Sequence, residues 1–264
     1  MTTARLNGID IEYERSGEGP RLLFFNGSGS TIERMRPLLA VYQQRFDTLI
    51  HDQRGLGRTS IPPGPYTMAE YAADAIALVD HVGWDRFAVI GVSFGGMVAQ
   101  EFAVTVPDRV ERLALLCTSP GGVGGASYPL HELRTMDAAE RAAVAMRIMD
   151  TRFTPEWLEA HPADRMFVEA MTANAGAAPG TEAERGEIEQ LEARRHHDVW
   201  DRLARITAPT LVASGRYDGI APPENGERIV ERIPGATLRL YEGGHGFFAQ
   251  DPSALPEILD FLAG

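Results

Sequence analysis

The chain contains 264 residues with a formal net charge of −12 at pH 7, and its 44% hydrophobic and 23% charged residues are ordinary proportions for a folded globular protein. All 25 cationic side chains are arginines, which excludes a Schiff-base lysine and a lysine-dependent phosphate loop; the acidic balance also argues against a nucleic-acid or anionic-membrane partner. The chain has a single cysteine, so no intrachain disulfide is predicted. It has no apolar run near the ~18 residues that span a membrane and no signal-peptide pattern, which predicts a cytoplasmic protein.

Short apolar runs and helical patterns alternate along most of the chain. Residues 9–14 alternate apolar and polar side chains, which predicts a half-exposed strand in an N-terminal antiparallel hairpin. Further strand candidates, most of them continuous apolar runs, occur at residues 22–25, 48–50, 87–90, 110–117, 211–213 and 236–241. Helical spacing occupies residues 68–82, 96–106 and 222–233. Strands that alternate with helices predict a mostly parallel sheet with right-handed crossovers.

The loop after the first buried strand, Asn-Gly-Ser-Gly-Ser at residues 26–30, is rich in glycine. A phosphate-binding loop would need a lysine, and a dinucleotide-binding loop would need a glycine where the chain has Ile32. A tetrahedral intermediate needs hydrogen-bond donors that are fixed in advance where negative charge develops. The loop therefore predicts one side of an oxyanion hole, with the backbone N–H of Ser28 as a donor.

The run Gly-Val-Ser-Phe-Gly at residues 91–95 follows a buried strand and precedes a helical pattern. This is the strand–turn–helix context of a nucleophile elbow, in which a sharp turn raises a serine above the end of the sheet. The pattern predicts Ser93 as a nucleophile and the backbone N–H of Phe94 as the second oxyanion donor. The alternative is a glycine-rich turn with an incidental serine.

A histidine and an acid follow the last two predicted strands. His245 lies in a glycine-flanked loop after residues 236–241, where a general base would reach a serine at the same edge of the sheet. Asp218 follows the strand at residues 211–213 and lies between the serine and the histidine in chain order. Glu242 is too near His245 along the chain to turn back easily to the imidazole. The sequence therefore predicts Ser93, His245 and Asp218 as nucleophile, base and orienting acid.

Residues 120–205 contain helical patterns and no convincing strand, so they predict a helical cap, or lid, on a core formed by residues 1–119 and 206–264. Helices are predicted at residues 137–152, 163–175 and 181–198, with a glycine- and alanine-rich separator at residues 175–180. The predicted substrate contacts are Arg194, Arg195, His197, Trp200 and Phe247. The polar run at residues 194–198 has two interpretations: a solvated helix face, or a site where a forked guanidinium meets a substrate carboxylate.

Taken in order, these motifs resemble those of the α/β-hydrolase superfamily. They are Asn-Gly-Ser-Gly at residues 26–29, the segment at residues 52–60, the elbow at residues 91–95, Asp218 and His245. The resemblance covers nearly the whole chain and implies a mostly parallel eight-stranded sheet flanked by helices, with a helical cap. The chain is similar to the capped bacterial group that includes 3-oxoadipate enol-lactonases, non-haem haloperoxidases, carboxylesterases and meta-cleavage C–C hydrolases. Many relatives carry His-Gly where this chain has Asn26 and Gly27, and enol-lactonase-like members also tend to replace that histidine.

The sequence predicts an enzyme that cleaves a small-molecule ester or lactone through an acyl-enzyme. Triad chemistry on the same fold leaves open C–C hydrolysis, perhydrolysis of the haloperoxidase type and lyase activity. A ligand-binding protein with little turnover is the alternative from another class. The sequence carries neither a metal-ligand cluster nor a cofactor motif, so neither a metal nor an organic cofactor is predicted. It leaves the oligomeric state open between a monomer and a homodimer.

Overall fold

The computed structural model describes residues 1–172, 178 and 180–264 of the chain. The separator predicted at residues 175–180 lies outside the described residues except for Ala178 and Gly180. Within the described residues, eight strands form one sheet. They are β1 (Thr2–Leu6), β2 (Ile9–Ser16), β3 (Arg21–Phe25), β4 (Asp47–His51), β5 (Phe87–Val92), β6 (Val110–Leu116), β7 (Thr210–Gly215) and β8 (Thr237–Tyr241).

The sheet has the order β1-β2-β4-β3-β5-β6-β7-β8. Strand β2 pairs antiparallel with β1 and β4, and all other neighbouring strands pair in parallel. Every residue of β5 and of β7 is buried, as expected for strands covered by helices on both faces. The predicted mostly parallel eight-stranded sheet is confirmed, and its parallel strands bring the loops after β3, β5, β7 and β8 to one edge.

Helices cover both faces of the sheet. In chain order they are α1 (Ile32–Tyr42), α2 (Met68–His81), α3 (Phe94–Thr105), α4 (Ala138–Met149), α5 (Pro155–Ala160), α6 (Pro162–Thr172), α7 (Glu182–Arg195), α8 (Pro223–Arg232), α9 (Phe247–Gln250) and α10 (Ala254–Ala263). Side chains of α2, α3 and α8 belong to one buried apolar cluster, and those of α1 and α10 belong to a second cluster on the opposite face. No helix among the described residues is both long enough and apolar enough to cross a membrane.

The segment between β6 and β7, residues 117–209, is called the helical insert below. It contains α4 to α7 and, among its described residues, no strand of the sheet. Helix α7 begins after Thr181, whose side chain accepts a hydrogen bond from the backbone N–H of Glu184. Gly186 lets α7 lie close to the core, because a Cβ at that position would be 1.9 Å from the backbone oxygen of Gly55. The insert therefore packs directly on loops of the sheet.

Candidate active site

Ser93 lies between β5 and α3 in a backbone conformation that is rare for a residue with a side chain. Its φ is 56° and its ψ is −116°, and strained backbone of this kind clusters at functional sites. The turn is tight: a Cβ on Gly91 would lie 2.3 Å from the backbone oxygen of Gly95, and a Cβ on Gly95 would lie 2.1 Å from that of Phe25. Glycine at both positions lets α3 begin directly behind β5 and beside the end of β3.

Three hydrogen-bonded side chains form a line at this edge of the sheet. His245 Nε2 lies 2.8 Å from Ser93 Oγ, and His245 Nδ1 lies 2.8 Å from Asp218 Oδ2. Asp218 is buried, and its Oδ1 accepts hydrogen bonds from the backbone N–H groups of Ile220 and Ala221, both at 2.8 Å. An ionised carboxylate only accepts, so it places the imidazole proton on Nδ1 and leaves the lone pair of Nε2 toward Ser93. The structure thus brings together the three residues that the sequence predicts as nucleophile, base and acid.

Two backbone N–H groups near Ser93 are available to an incoming oxygen. Within the described residues, neither the N–H of Ser28 nor that of Phe94 donates to a protein acceptor. Phe94 opens α3, so its N–H belongs to the positive end of the helix dipole. The loop of Ser28 lies beside Ser93, because a Cβ on Gly27 would be 3.6 Å from Ser93 Cβ. Both N–H groups that the sequence predicts as oxyanion donors are therefore unpaired at this edge of the sheet.

Cys117 follows β6 and lies beside Asp218 and His245. In the described part of the chain, its Sγ, a carboxylate oxygen of Asp218 and a ring nitrogen of His245 form the one group of possible metal ligands, all within 4.8 Å of one another. Burial, aided by the nearby Asp218 carboxylate, raises the pKa of the Cys117 thiol well above its ordinary value. A protonated thiol is a poor nucleophile and a poor metal ligand. The chemistry of this site therefore depends on the hydrogen bonds of His245 to Ser93 and Asp218, and not on the Cys117 thiol.

The helical insert contacts both the loop of Asp218 and the loop of His245. At the end of α4, Ile148 O accepts a hydrogen bond from Gly219 N at 3.0 Å, and Met149 O accepts one from His245 N at 2.6 Å. A Cβ on Gly244 would lie 2.1 Å from Met149 O, so the histidine loop and α4 are in close backbone contact. The backbone of His245 is thus held partly by a segment outside the sheet.

Gln250, at the end of α9, connects the histidine loop to the insert a second time. Its Oε1 accepts from Gly244 N at 2.9 Å, and its Nε2 donates to Asp150 Oδ2 at 3.1 Å. Asp150 is fully buried, and its carboxylate also accepts from the guanidinium of Arg152. Sequence reasoning missed Gln250 because no motif contains it; the available signal was its position five residues after the predicted base.

The inner face of α7 carries polar side chains toward the loop of the predicted oxyanion donor. Gln190 is 1% exposed, and its Oε1 accepts a hydrogen bond from Gly29 N at 2.7 Å. Its Nε2 is buried without a hydrogen-bond partner. Sequence reasoning missed Gln190 as well. The available signal was its spacing from Gly186 and Ala193, which places all three residues on one face of the helix.

Arg194 lies one turn after Gln190 on the same face. It is 6% exposed, and its Nη1 donates to Tyr128 O at 2.7 Å. Tyr128 N in turn donates to Ile220 O at 2.7 Å, so Arg194 is joined to the loop of Asp218. Nε and Nη2 of Arg194 are buried without partners. Burial lowers the pKa of Arg194 to about 10, against the opposing effect of the Asp218 carboxylate, so the guanidinium is still charged at neutral pH.

His197 is the second predicted contact that the structure buries at the end of α7. It is 5% exposed, and within the described residues neither ring nitrogen makes a well-aligned hydrogen bond, although the backbone of Ser119 lies close enough to favour the charged form of the ring. Burial lowers the pKa of His197 to about 3, so the imidazole is neutral at physiological pH. Arg194 and His197 both line a cavity of about 340 Å³, which also reaches Met97 on α3 and Ser119 after β6.

The other three predicted substrate contacts have different surroundings. The side chain of Arg195 is half exposed and lies 3.7 Å from a carboxylate oxygen of Glu192, although the residue also lines the cavity. Trp200 belongs to the apolar cluster of α2, α3 and α8. Phe247 is fully buried and stacks on Tyr241, with ring centroids 5.2 Å apart. The structure thus gives Trp200 and Phe247 places in the core.

Comparison with known proteins gives matches over nearly the whole chain. A family model described as alpha/beta hydrolase fold matches residues 20–252. The chain is 27% identical over 254 residues to 3-oxoadipate enol-lactonase 2 of Acinetobacter baylyi, a match that covers 96% of this chain and 92% of that protein. It is 30% identical over 252 residues to a poly(3-hydroxyalkanoate) depolymerase of Ectopseudomonas oleovorans, with 91% and 83% covered. Among solved structures, the enol-lactonase of Burkholderia xenovorans LB400 superposes with a TM-score of 0.77 at 25% identity, covering 100% of both chains.

Proposed function

Because the chain belongs to the α/β-hydrolase-fold family, whose members compared above are named for hydrolytic activities, we propose that it hydrolyses a small-molecule ester or lactone through an acyl-enzyme on Ser93. One observation carries the proposal: Ser93 Oγ, His245 and the Asp218 carboxylate form a continuous hydrogen-bonded line across three separate loops. Since one fold hosts many reactions, this geometry supports the assignment more strongly than the family does.

The proposed reaction uses each group of the line in turn. Ser93 Oγ attacks the carbonyl carbon while its proton passes to His245 Nε2. Asp218, which accepts from Nδ1–H, keeps the imidazole oriented and stabilises its charged form. The tetrahedral oxyanion takes the free N–H groups of Ser28 and Phe94 as donors. Collapse breaks the bond to the leaving-group oxygen, which takes the proton from Nε2, and water then cleaves the acyl-enzyme with His245 again as base.

In this proposal the helical insert is the cap of the site. The end of α4 holds the backbone of His245, and Gln190 on α7 holds Gly29, which follows Ser28. An ester bound to Ser93 would therefore lie between the edge of the sheet and α7. The groups that touch the rest of the substrate belong to the insert, so it is the segment that selects the substrate.

A fluorophosphonate probe tests the proposal most directly, because it labels only an activated serine. We expect intact mass to show one adduct and peptide mapping to place it on Ser93. His245→Ala should abolish labelling, while Ser253→Ala, a change at an exposed serine, should not. A panel of 4-nitrophenyl esters and lactones, assayed in parallel, should show turnover with release of the free acid. A folded protein that neither labels nor turns over any member of the panel would overturn the proposal.

A further inference from the structure

We propose that Gln190 and Arg194 of α7 form one subsite that binds a carboxylate on the substrate. The inference rests on the proposed function, since it names the class of ester or lactone that Ser93 would receive. Its basis is a set of three buried nitrogens, Nε2 of Gln190 and Nε and Nη2 of Arg194, which lie on one face of one helix and have no hydrogen-bond partner in the described part of the chain.

The three nitrogens are all donors, and their chemistry selects the ligand. An amide nitrogen and a guanidinium donate and never accept, so only an acceptor can satisfy them. Nε and one terminal nitrogen of arginine form the fork that binds both oxygens of a carboxylate. A buried donor left without a partner costs about 1–3 kcal/mol, which makes three such groups on one face unexpected unless a ligand completes them.

The charge of Arg194 strengthens the assignment to an anion. No ion pair of Arg194 occurs within the described residues, although the residue is 94% buried. The acidic residue two positions before Arg194 on α7, Glu192, lies near Arg195 and His196. The Asp218 carboxylate favours the charged guanidinium electrostatically, but it forms no ion pair with it, and a buried charge without a directly paired counterion is unfavourable. An anionic group on the substrate would supply the missing counterion.

The position of the pair connects the subsite to the reaction. Oε1 of Gln190 accepts from Gly29 N at 2.7 Å, so its amide lies beside the loop of the proposed oxyanion donor Ser28. Arg194 is one turn farther along α7, about 6 Å by the helical rise. It is joined through Tyr128 to Ile220, two residues after Asp218: Tyr128 O accepts from Arg194, and Tyr128 N donates to Ile220 O. The cavity that Arg194 lines also reaches Met97, one turn of α3 after Ser93, which fits a substrate that carries its carboxylate and its reacting carbonyl on one carbon chain.

Gln190 has two separable functions in this arrangement. Its Oε1 holds the backbone of the oxyanion loop, and its Nε2 donates to the bound carboxylate. Gln190→Glu keeps an acceptor for Gly29 N–H but removes the donor and adds a negative charge beside Arg194. Gln190→Met removes both the acceptor and the donor. The two variants should therefore differ in which substrates they affect.

The test compares a charged ester with its neutral counterpart. The substrates are the mono-4-nitrophenyl esters of succinate, glutarate and adipate, and the same compounds with the second carboxyl group methylated. We expect the wild type to prefer at least one acid over its methyl ester by about tenfold or more in kcat/KM. Arg194→Met should lower kcat/KM for that acid by about 100-fold and change it less than about threefold for the methyl ester. Arg194→Lys, which keeps the charge but loses the fork, should fall between the two.

The Gln190 variants separate substrate binding from support of the oxyanion loop. Gln190→Glu should remove the preference for the acid while turnover of the methyl ester stays within about fivefold of wild type. Gln190→Met should lower kcat for both substrates by about tenfold, because Gly29 N–H loses its acceptor. Arg165→Met, which removes a charge from the insert at a half-exposed residue of α6, serves as the control for net charge and should change the preference less than about twofold.

Several results would overturn the subsite. These are equal kcat/KM for acid and methyl ester in the wild type, equal losses on both substrates in Arg194→Met, or loss of the preference in Arg195→Met in place of Arg194→Met. If no half-ester is turned over, the subsite is tested by whether succinate, glutarate or adipate inhibits the hydrolysis of 4-nitrophenyl acetate. Absence of inhibition by all three dicarboxylates would also overturn the subsite. Failure of the proposed function looks different, because then 4-nitrophenyl acetate is not hydrolysed and Ser93 is not labelled.

Discussion

The three side chains of the line at the edge of the sheet differ from those at the end of helix α7 in how completely they are hydrogen bonded. Ser93, His245 and Asp218 are joined to one another, and Asp218 also accepts two backbone N–H groups. In contrast, Arg194 and His197 have buried nitrogens without partners. The line of Ser93, His245 and Asp218 is complete in the protein alone, whereas Arg194 on α7 has donors that nothing in the described residues satisfies.

This difference separates chemistry from substrate selection. A line of satisfied hydrogen bonds is already arranged for proton transfer and needs no reorganisation during the reaction. Unsatisfied buried donors lower the stability of the free protein, but they give specificity, because only a ligand with the matching acceptor completes them. In the proposed function, the sheet thus supplies a reaction that many substrates share, and the insert supplies the preference among them.

Replacing the groups of the hydrogen-bonded line should have the largest effect on activity. Ser93→Ala should lower kcat by about 10⁴–10⁶-fold, because the acyl-enzyme can no longer form. Asp218→Asn should lower it by about 10³–10⁴-fold, because an amide can donate to Nδ1 and favour the wrong tautomer of His245. Hydrolysis of 4-nitrophenyl acetate measures both. Residual activity above one hundredth of wild type in Ser93→Ala, with the fold intact by circular dichroism, would mean that another group is the nucleophile.

The backbone packing beneath Ser93 should be the least tolerant part of the fold. Gly95→Ala places a Cβ 2.1 Å from Phe25 O, a backbone atom that cannot turn away, so α3 must move away from β3. We expect a loss of about 3 kcal/mol or more in the free energy of unfolding. Gly27→Ala is the matched control, since its Cβ would lie 3.6 Å from its nearest neighbours, and it should cost less than about 1 kcal/mol. Equal stabilities in urea unfolding would show that the elbow is not tightly packed.

The same tight packing explains why this region could be predicted from the sequence. Only small residues fit at positions 91 and 95, so the elbow leaves a pattern in the chain. Asp218 and His245 follow successive strands, and a parallel sheet brings the ends of its strands to one edge. The order of these motifs therefore predicts both the fold and the residues that the structure brings together.

The insert could not be predicted to the same depth. Helix α7 contains many charged residues, so Gln190 looks like one more solvated side chain in the sequence, and only the packing of the helix shows that it is buried. Gln250 has its function through contacts with Gly244 and Asp150, the latter 100 residues away. Trp200 is predicted as a substrate contact because it belongs to the cap, with packing inside the cap as the alternative, and the structure places its ring in the apolar cluster of α2, α3 and α8.

The buried imidazole of His197 should make the free energy of unfolding depend on pH. Burial lowers the pKa of His197 to about 3 from an ordinary value of 6.5. Below pH ~6.5 the unfolded chain therefore takes up a proton that the folded protein does not, so stability is lost as the pH falls. Between pH 7.5 and pH 5 this group should cost about 2 kcal/mol. His197→Gln should remove that part of the pH dependence in urea unfolding.

An exposed histidine next to it provides the control. His196→Gln changes a side chain that is 74% exposed, and its stability curve should run parallel to that of the wild type. His51, whose pKa burial lowers to about 4, is present in all three proteins and cancels from the comparison. A His197→Gln curve that is also parallel to the wild type would mean that His197 accepts its proton in the folded state, and that this end of α7 is open to water.

The smallest expected effect on activity comes from Gln250, which connects the His245 loop to the insert and so tests whether the insert also positions His245. Gln250 holds Gly244 N, next to His245, and donates to Asp150 of the insert. Gln250→Ala should lower kcat by about tenfold, because the loop of the base loses one hydrogen bond, and should change KM less than about twofold. Gln43→Ala, a glutamine remote from the site at the end of α1, should change neither. An unchanged kcat in Gln250→Ala would show that the sheet alone positions the base. A lower kcat with an unchanged KM would show that the insert, besides selecting the substrate, also holds the catalytic imidazole in place.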